Sequence, residues 1–230
     1  MATSAADAKA RRRRVAARQV VLIDRSTTRP AIRTPETMIP PMSKAARRPA
    51  TWDDLAALPE GDRTEVVDGE LWTAPSPLPR HGHIEGALSF SVGGPFQYDP
   101  KGPGGWWIVP EVDVELTPHD IVRPDLSGWR RERMPRFPSE RPVRVAPDWV
   151  CEIVSPSSAR MDRLVKPALY LRTGVPYLWL VDPEVRILEA FEAKDGAWLR
   201  LGGWGDGDVA RIPPFDAIEL DVGRLFPPEE

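Results

Sequence analysis

Cysteine is almost missing: Cys151 is the one cysteine in 230 residues, so no internal disulfide can form and a reducing, cytoplasmic setting is expected. Long apolar runs are missing too, and none approaches the roughly 20 residues that span a bilayer. The apolar patch Val20 to Ile23, which follows the run Arg11 to Arg14, is too short for a secretory signal and is flanked by Arg18 and Asp24. Three histidines occur, none at metal-ligand spacing to the cysteine, which argues against a zinc site. No internal repeat is visible.

Proline, by contrast, is plentiful. The 27 prolines, with 17 glycines, argue against a pure helix bundle and predict short elements joined by many turns. With 41% hydrophobic and 28% charged side chains, the chain can bury a core in one domain. The net charge of -3 hides two opposed parts: residues 1–50 carry 12 Lys and Arg against Asp7, Asp24 and Glu36, whereas the remainder carries 19 basic and 31 acidic residues. An acidic body argues against polyanion binding over the whole surface, although a local basic strip could still hold a phosphate backbone. Residues 1–50 read as a basic disordered arm, or as sequence upstream of a true start at Met38 or Met42, and residues 51–230 as the folded domain.

Within the domain, Thr51-Trp52-Asp53-Asp54 has the pattern of a helix cap with an acidic first turn. Asp68-Gly69 between two β-prone runs predicts a hairpin. Ile84, Leu88 and Val92 share a helical face over residues 83–98, with Gly93-Gly94-Pro95 expected to stop that helix early. Strands are expected over Trp106 to Leu116, over Ile121 to Gly128 and over Asp148 to Val154, the last buried on both faces. A helix over Ser157 to Thr173 precedes strands at Tyr177 to Val181 and Val185 to Glu192, and short strands with Gly-Asp turns follow. This order predicts an α/β fold, a mixed sheet flanked by helices.

Three features carry chemistry. Glu152 interrupts the apolar strand Trp149 to Val154; an ionised carboxylate there costs several kcal/mol unless a cation compensates it, so it either faces solvent on an edge strand, pairs with an arginine, or serves a site. Asp125 follows Pro124 at a strand end, where it is a turn residue taken alone. Two carboxylates from adjacent strand ends can hold a hard divalent cation such as Mg²⁺. Lys166 shares a helical face with Asp162 and Tyr170, either as a surface i,i+4 pair or as an ammonium placed over the carboxylates.

Together, EVVDGE, a Pro-Ser-Pro stretch with RHG, RPD, CEIVSPSS, MDRLVKPALY and TGVPYLWLVDP resemble the Uma-type putative restriction endonuclease family of bacteria, within the PD-(D/E)XK nuclease superfamily, over about residues 51–222. The resemblance implies a restriction-endonuclease-like fold and Mg²⁺-dependent (or Mn²⁺-dependent) hydrolysis of DNA phosphodiesters that leaves a 5′-phosphate, with a homodimer as a common form. Asp125 and Glu152 would match the metal-binding acids, and Lys166 a lysine carried on the following helix. Glu65 would match an acid before the Asp-Gly turn, and His81 a histidine before a helix that contacts phosphate or acts as an acid, with His83 an alternative. Pro167 directly after Lys166 departs from that pattern and disfavours helical geometry at the lysine. Together with the acidic body it favours a rival function, a catalytically degenerate nuclease-fold module for nucleic-acid or protein binding. For substrate grip, residues 129–144 hold six arginines and two glutamates, a candidate contact to the DNA backbone. The nine tryptophans are expected mostly in the core.

Overall fold

A computed structural model describes residues 48–228. The expected basic arm lies outside the described residues except for its last three, as do the alternative starts at Met38 and Met42. Ala50 is already tied into the domain, its N–H donating to the Gly69 carbonyl at 2.8 Å. Thr51 caps the short helix α1 (Trp52–Ala56), and the Asp54 carboxylate accepts the Thr51 N–H at 2.8 Å. The expected hairpin then forms from β1 (Thr64–Val67) and β2 (Glu70–Thr73). Asp68 and Gly69 both take positive φ, 51° and 75°, as a two-residue I′ turn requires.

Two sheets share the next part of the chain. The segment expected as one strand over residues 106–116 is two, β3 (Trp106–Pro110) and β4 (Val114–Thr117). The segment over 121–128 is likewise two, β5 (Asp120–Val122) and β6 (Leu126–Arg130). At both breaks the chain leaves one sheet for the other. Pro110 and Pro124 lack the N–H that would continue a ladder, and Glu111 turns the first break with a φ of 43°. β1, β2, β4 and β5 make a four-stranded sheet in the order β2-β1-β5-β4.

The larger sheet is completed by β7 (Trp149–Ile153), β8 (Tyr177–Asp182), β9 (Ile187–Lys194) and β10 (Ala197–Trp204), in the order β10-β9-β8-β7-β6-β3. β7 and β8 run parallel, and the other neighbours are antiparallel, so the sheet is mixed as expected. A parallel pair needs a crossover, which α3 (Lys166–Arg172) supplies after a wider π turn over Met161–Val165. A last small ribbon pairs β11 (Val209–Ala210) with β12 (Leu220–Asp221).

α2 (Pro79–Leu88) packs on the other face of the large sheet. It does not fray at Gly93-Gly94-Pro95. The helix widens into π turns over Ser89–Tyr98, and Val92, Gly93 and Phe96 are buried there. Packing outweighs the local breakers. The side of β7 and β8 under α2 carries Trp149, Cys151, Ile153, Trp179 and Val181, and the side under α3 carries Val150, Leu178 and Leu180 against Leu169 and Tyr170. No helix among the described residues is long and apolar enough to cross a membrane.

Candidate active site

The sheet switches bring together residues that are far apart in sequence. Asp125 lies at the second break, just before β6, and its Oδ2 accepts the backbone N–H of Ile153 at 2.5 Å, which fastens it to the C-terminal end of β7. Glu152 is the one acid in β7, and the strand is central, so the carboxylate is only 2% exposed. It neither faces solvent on an edge strand nor pairs with an arginine. Its Oε1 accepts the Tyr170 hydroxyl, and its Oε2 lies 3.3 Å from Lys166 Nζ. From the smaller sheet, Glu65 on β1 reaches Lys166 Nζ at 3.0 Å, and its Oε1 also accepts the Arg123 N–H at 2.5 Å. His81, in the first turns of α2, places Nε2 3.0 Å from Asp125 Oδ1. The contact is at ion-pair range but off the hydrogen-bond direction, so this buried nitrogen has no aligned acceptor. All five residues line one cavity of about 390 Å³.

Lys166 answers the question posed by Pro167. Its backbone is helical (φ -61°, ψ -44°), and Pro167 occupies the first turn of α3, where a missing N–H is tolerated. The π turn before it carries the Lys166 N–H to the Met161 carbonyl. Proline therefore starts the helix here instead of bending it. The side chain is buried, so the pair with Asp162 is no surface pair; Asp162 is buried as well and accepts from the Ser158 hydroxyl.

Charges of both signs crowd this cavity. Burial would discharge Lys166, but Glu152, Glu65, Asp162 and Asp125 surround it and hold the ammonium charged well above its ordinary range. Arg63 and Arg123 line the cavity as well, each also paired with an acid outside it, Glu111 and Asp113. Burial and the other acids push Glu152 well up despite Lys166, and burial pushes Asp162 up too. Tyr170, buried beside Glu152, has its pKa raised and stays a phenol that donates. For His81, burial works against protonation, but the Asp125 carboxylate and Glu85 outweigh it and raise its pKa.

The profile of the Uma2 family, described as a putative restriction endonuclease, matches residues 52–223. The chain belongs to the Uma2 family. Its fold is similar to that in the crystal structure of a putative nuclease belonging to DUF820 from Anabaena variabilis ATCC 29413, at 24% identity and a TM-score of 0.58. That match covers 77% of this chain and 98% of that one. No match is found among curated proteins.

Within this Uma2 domain, every residue that the sequence singled out for chemistry (Glu65, His81, Asp125, Glu152 and Lys166) lines the same cavity. His83, the alternative to His81, is exposed. Among the described residues, no group of three or more His, Cys, Asp or Glu side chains has metal-holding geometry. Asp125 and Glu152 are the residues that would hold a hard divalent cation, with water or substrate oxygens completing its shell, as Mg²⁺ commonly does. The donor set fits such an ion because it is all oxygen.

Sequence reasoning missed Arg63, Glu85 and Ser158. Arg63 pairs with Glu111 at 2.7 Å while its Nε is buried without an acceptor, and no sequence pattern marks it. Glu85 could have been found four residues after His81, on the same face of α2. The arginine-rich stretch is placed elsewhere. None of residues 129–144 lines the cavity. Arg130 and Arg131 stack on Trp106 and Trp107, Arg133 pairs with Asp148, Arg141 with Asp113 and Arg144 with Glu115. Arg133, Arg141 and Arg144 remain about half exposed beside these partners, outside the cavity.

Proposed function

We propose that this chain is a Mg²⁺-dependent endonuclease that hydrolyses phosphodiester bonds of DNA. The observation that carries this reading is the convergence of Asp125, Glu152, Glu65 and Lys166 in one cavity. A bound Mg²⁺, for which Mn²⁺ can substitute, would polarise a phosphate oxygen and make a water more acidic. The Ile153 N–H and the Tyr170 hydroxyl fix the directions in which Asp125 and Glu152 present their oxygens. Lys166, kept charged and held by Glu65 and Glu152, orients the attacking water and offsets charge that builds on the phosphate. His81 and Arg63 bring nitrogens without acceptors to the same wall, which suits an anionic substrate. In this reading His81, with its raised pKa, would give a proton to the leaving oxygen. A homodimer is the form in which one such cavity per chain cuts two strands.

The rival reading, a binding module with degenerate chemistry, drew on Pro167 and on the acidic body; the helical backbone at Lys166 weighs against the first of these, and the second still favours it. Nicking of supercoiled plasmid by the purified chain tests the choice. Wild type is expected to nick with Mg²⁺ and stop with a chelator, and Glu152→Gln and Lys166→Ala are each expected to lose at least about a hundredfold in rate. Equal activity in all three proteins would remove the catalytic reading.

A further inference from the structure

We propose that Trp72 is a base-stacking platform beside the carboxylates, and that the strand entering the cavity is unpaired at the scissile position. This rests on the nuclease reading above. β1 and β2 pair Glu65 directly opposite Trp72, which puts both side chains on one face of the hairpin with their Cβ atoms about 5 Å apart. Both line the cavity.

Trp72 differs from the other eight tryptophans. It is 43% exposed, whereas they are buried or half-buried. Trp107, Trp129, Trp179 and Trp198 donate Nε1 to carbonyls, Trp106 lies under Arg130 and Trp52 under Arg141, Trp149 meets Trp179 edge-on, and Trp204 packs against the core. The indole of Trp72 has no aromatic, cationic or hydrogen-bonding partner among the described residues. An indole left 43% open costs apolar exposure, while any nucleobase offers it a π face.

Depth points the same way. Glu65, Asp125 and Glu152 are each no more than 7% exposed, so a phosphodiester must enter the cavity to reach them. The space, about 390 Å³, is at the small-molecule end of binding sites and admits one nucleotide far more readily than a stacked duplex. A single-stranded or melted segment reaches the acids without the cost of unpairing and unstacking a base.

The test compares Trp72→Ala and Trp72→Phe with wild type, using a fluorescently labelled single-stranded DNA oligonucleotide and a blunt duplex of the same sequence. Anisotropy is read with a chelator present, so that binding is measured apart from cleavage. Wild type is expected to prefer the single strand. Trp72→Ala is expected to weaken single-strand binding by about tenfold or more, with Trp72→Phe close to wild type and the duplex little affected. Unchanged single-strand affinity in Trp72→Ala, or an equal loss on both DNAs, would overturn the proposal. The two readings fail separately. Loss of selective binding with nicking intact removes the stacking role alone, whereas selective binding without any nicking removes the hydrolase and leaves the platform standing.

Discussion

The two faces of β7 solve burial in opposite ways. Under α2, Trp149 meets Trp179 and Phe215 edge-on with ring centroids 5.2 and 4.9 Å apart, and Cys151 and Ile153 complete an apolar layer. One residue away, under α3, Glu152 is just as deeply buried, yet it meets an ammonium and a phenol. The strand alternates as any strand does. What differs is the helix each face receives: α2 presents Ile84 and Leu88, whereas α3 presents Lys166 and Tyr170. The apolar face is stable whatever the pH. The charged face is stable only while its charges compensate one another, a weak source of stability and a strong source of reactivity.

Breaking each face in turn gives the largest expected effects. Lys166→Met should cost about 3–5 kcal/mol of stability near neutral pH, because four buried acids then lose their cation. Trp149→Ala should cost a similar 3–5 kcal/mol by opening a cavity in the aromatic layer. Urea melts over a pH series separate them. Without the ammonium the acids bind protons more readily folded than unfolded, so the Lys166→Met deficit should shrink as pH falls and the carboxyls protonate. The Trp149→Ala deficit should stay constant. A pH-independent Lys166→Met deficit would mean that the ammonium contributes packing and no charge compensation.

A smaller change sharpens the comparison. Tyr170→Phe removes the hydroxyl that donates to Glu152 Oε1 while leaving the ring in place. A buried acceptor left without its donor costs about 1–3 kcal/mol, and Glu152 also loses the contact that fixes its direction. Stability should fall by that amount in chemical melts, and nicking should fall more than stability predicts. A loss in stability with unchanged nicking would show that Lys166 alone orients Glu152.

Much of this was legible in the chain because the informative signals are local. An acid inside WVCEI announces a need for a partner, Asp68-Gly69 marks a turn, and Asp162, Lys166 and Tyr170 share a helical face. The sheet switches were not legible. The apolar run of residues 106–110 passes straight into the alternation of residues 111–116, and nothing in it says that the last strand belongs to another sheet; the chain turns there at Glu111, with a φ of 43°. The π turns through Gly93-Gly94-Pro95 were hidden for the opposite reason. Strong local breakers are overruled there by burial of Val92 and Phe96, and Pro95 is packed so closely that a Cβ on Gly102 would come within 2.2 Å of its carbonyl oxygen. The solitary Trp72 was lost among nine tryptophans, since composition does not say which indole lacks a neighbour.

The smallest expected effect comes from Glu85, which extends the charged region onto α2 and blurs the division between the faces. Burial first, then Glu111 and Asp125, push its pKa up from 4.5 to about 7, while His81 and Arg63 pull it down. An acid with a raised pKa binds its proton more tightly folded than unfolded. Its contribution is therefore fully present below pH 4.5 and is lost as pH rises through about 7. Glutamine keeps the shape and never ionises, so Glu85→Gln should melt at a higher temperature than wild type near pH 8, with the difference gone near pH 4. Thermal melts at the two pH values decide it. A variant that is less stable near pH 8 would show that ionised Glu85 is compensated by His81 and Arg63.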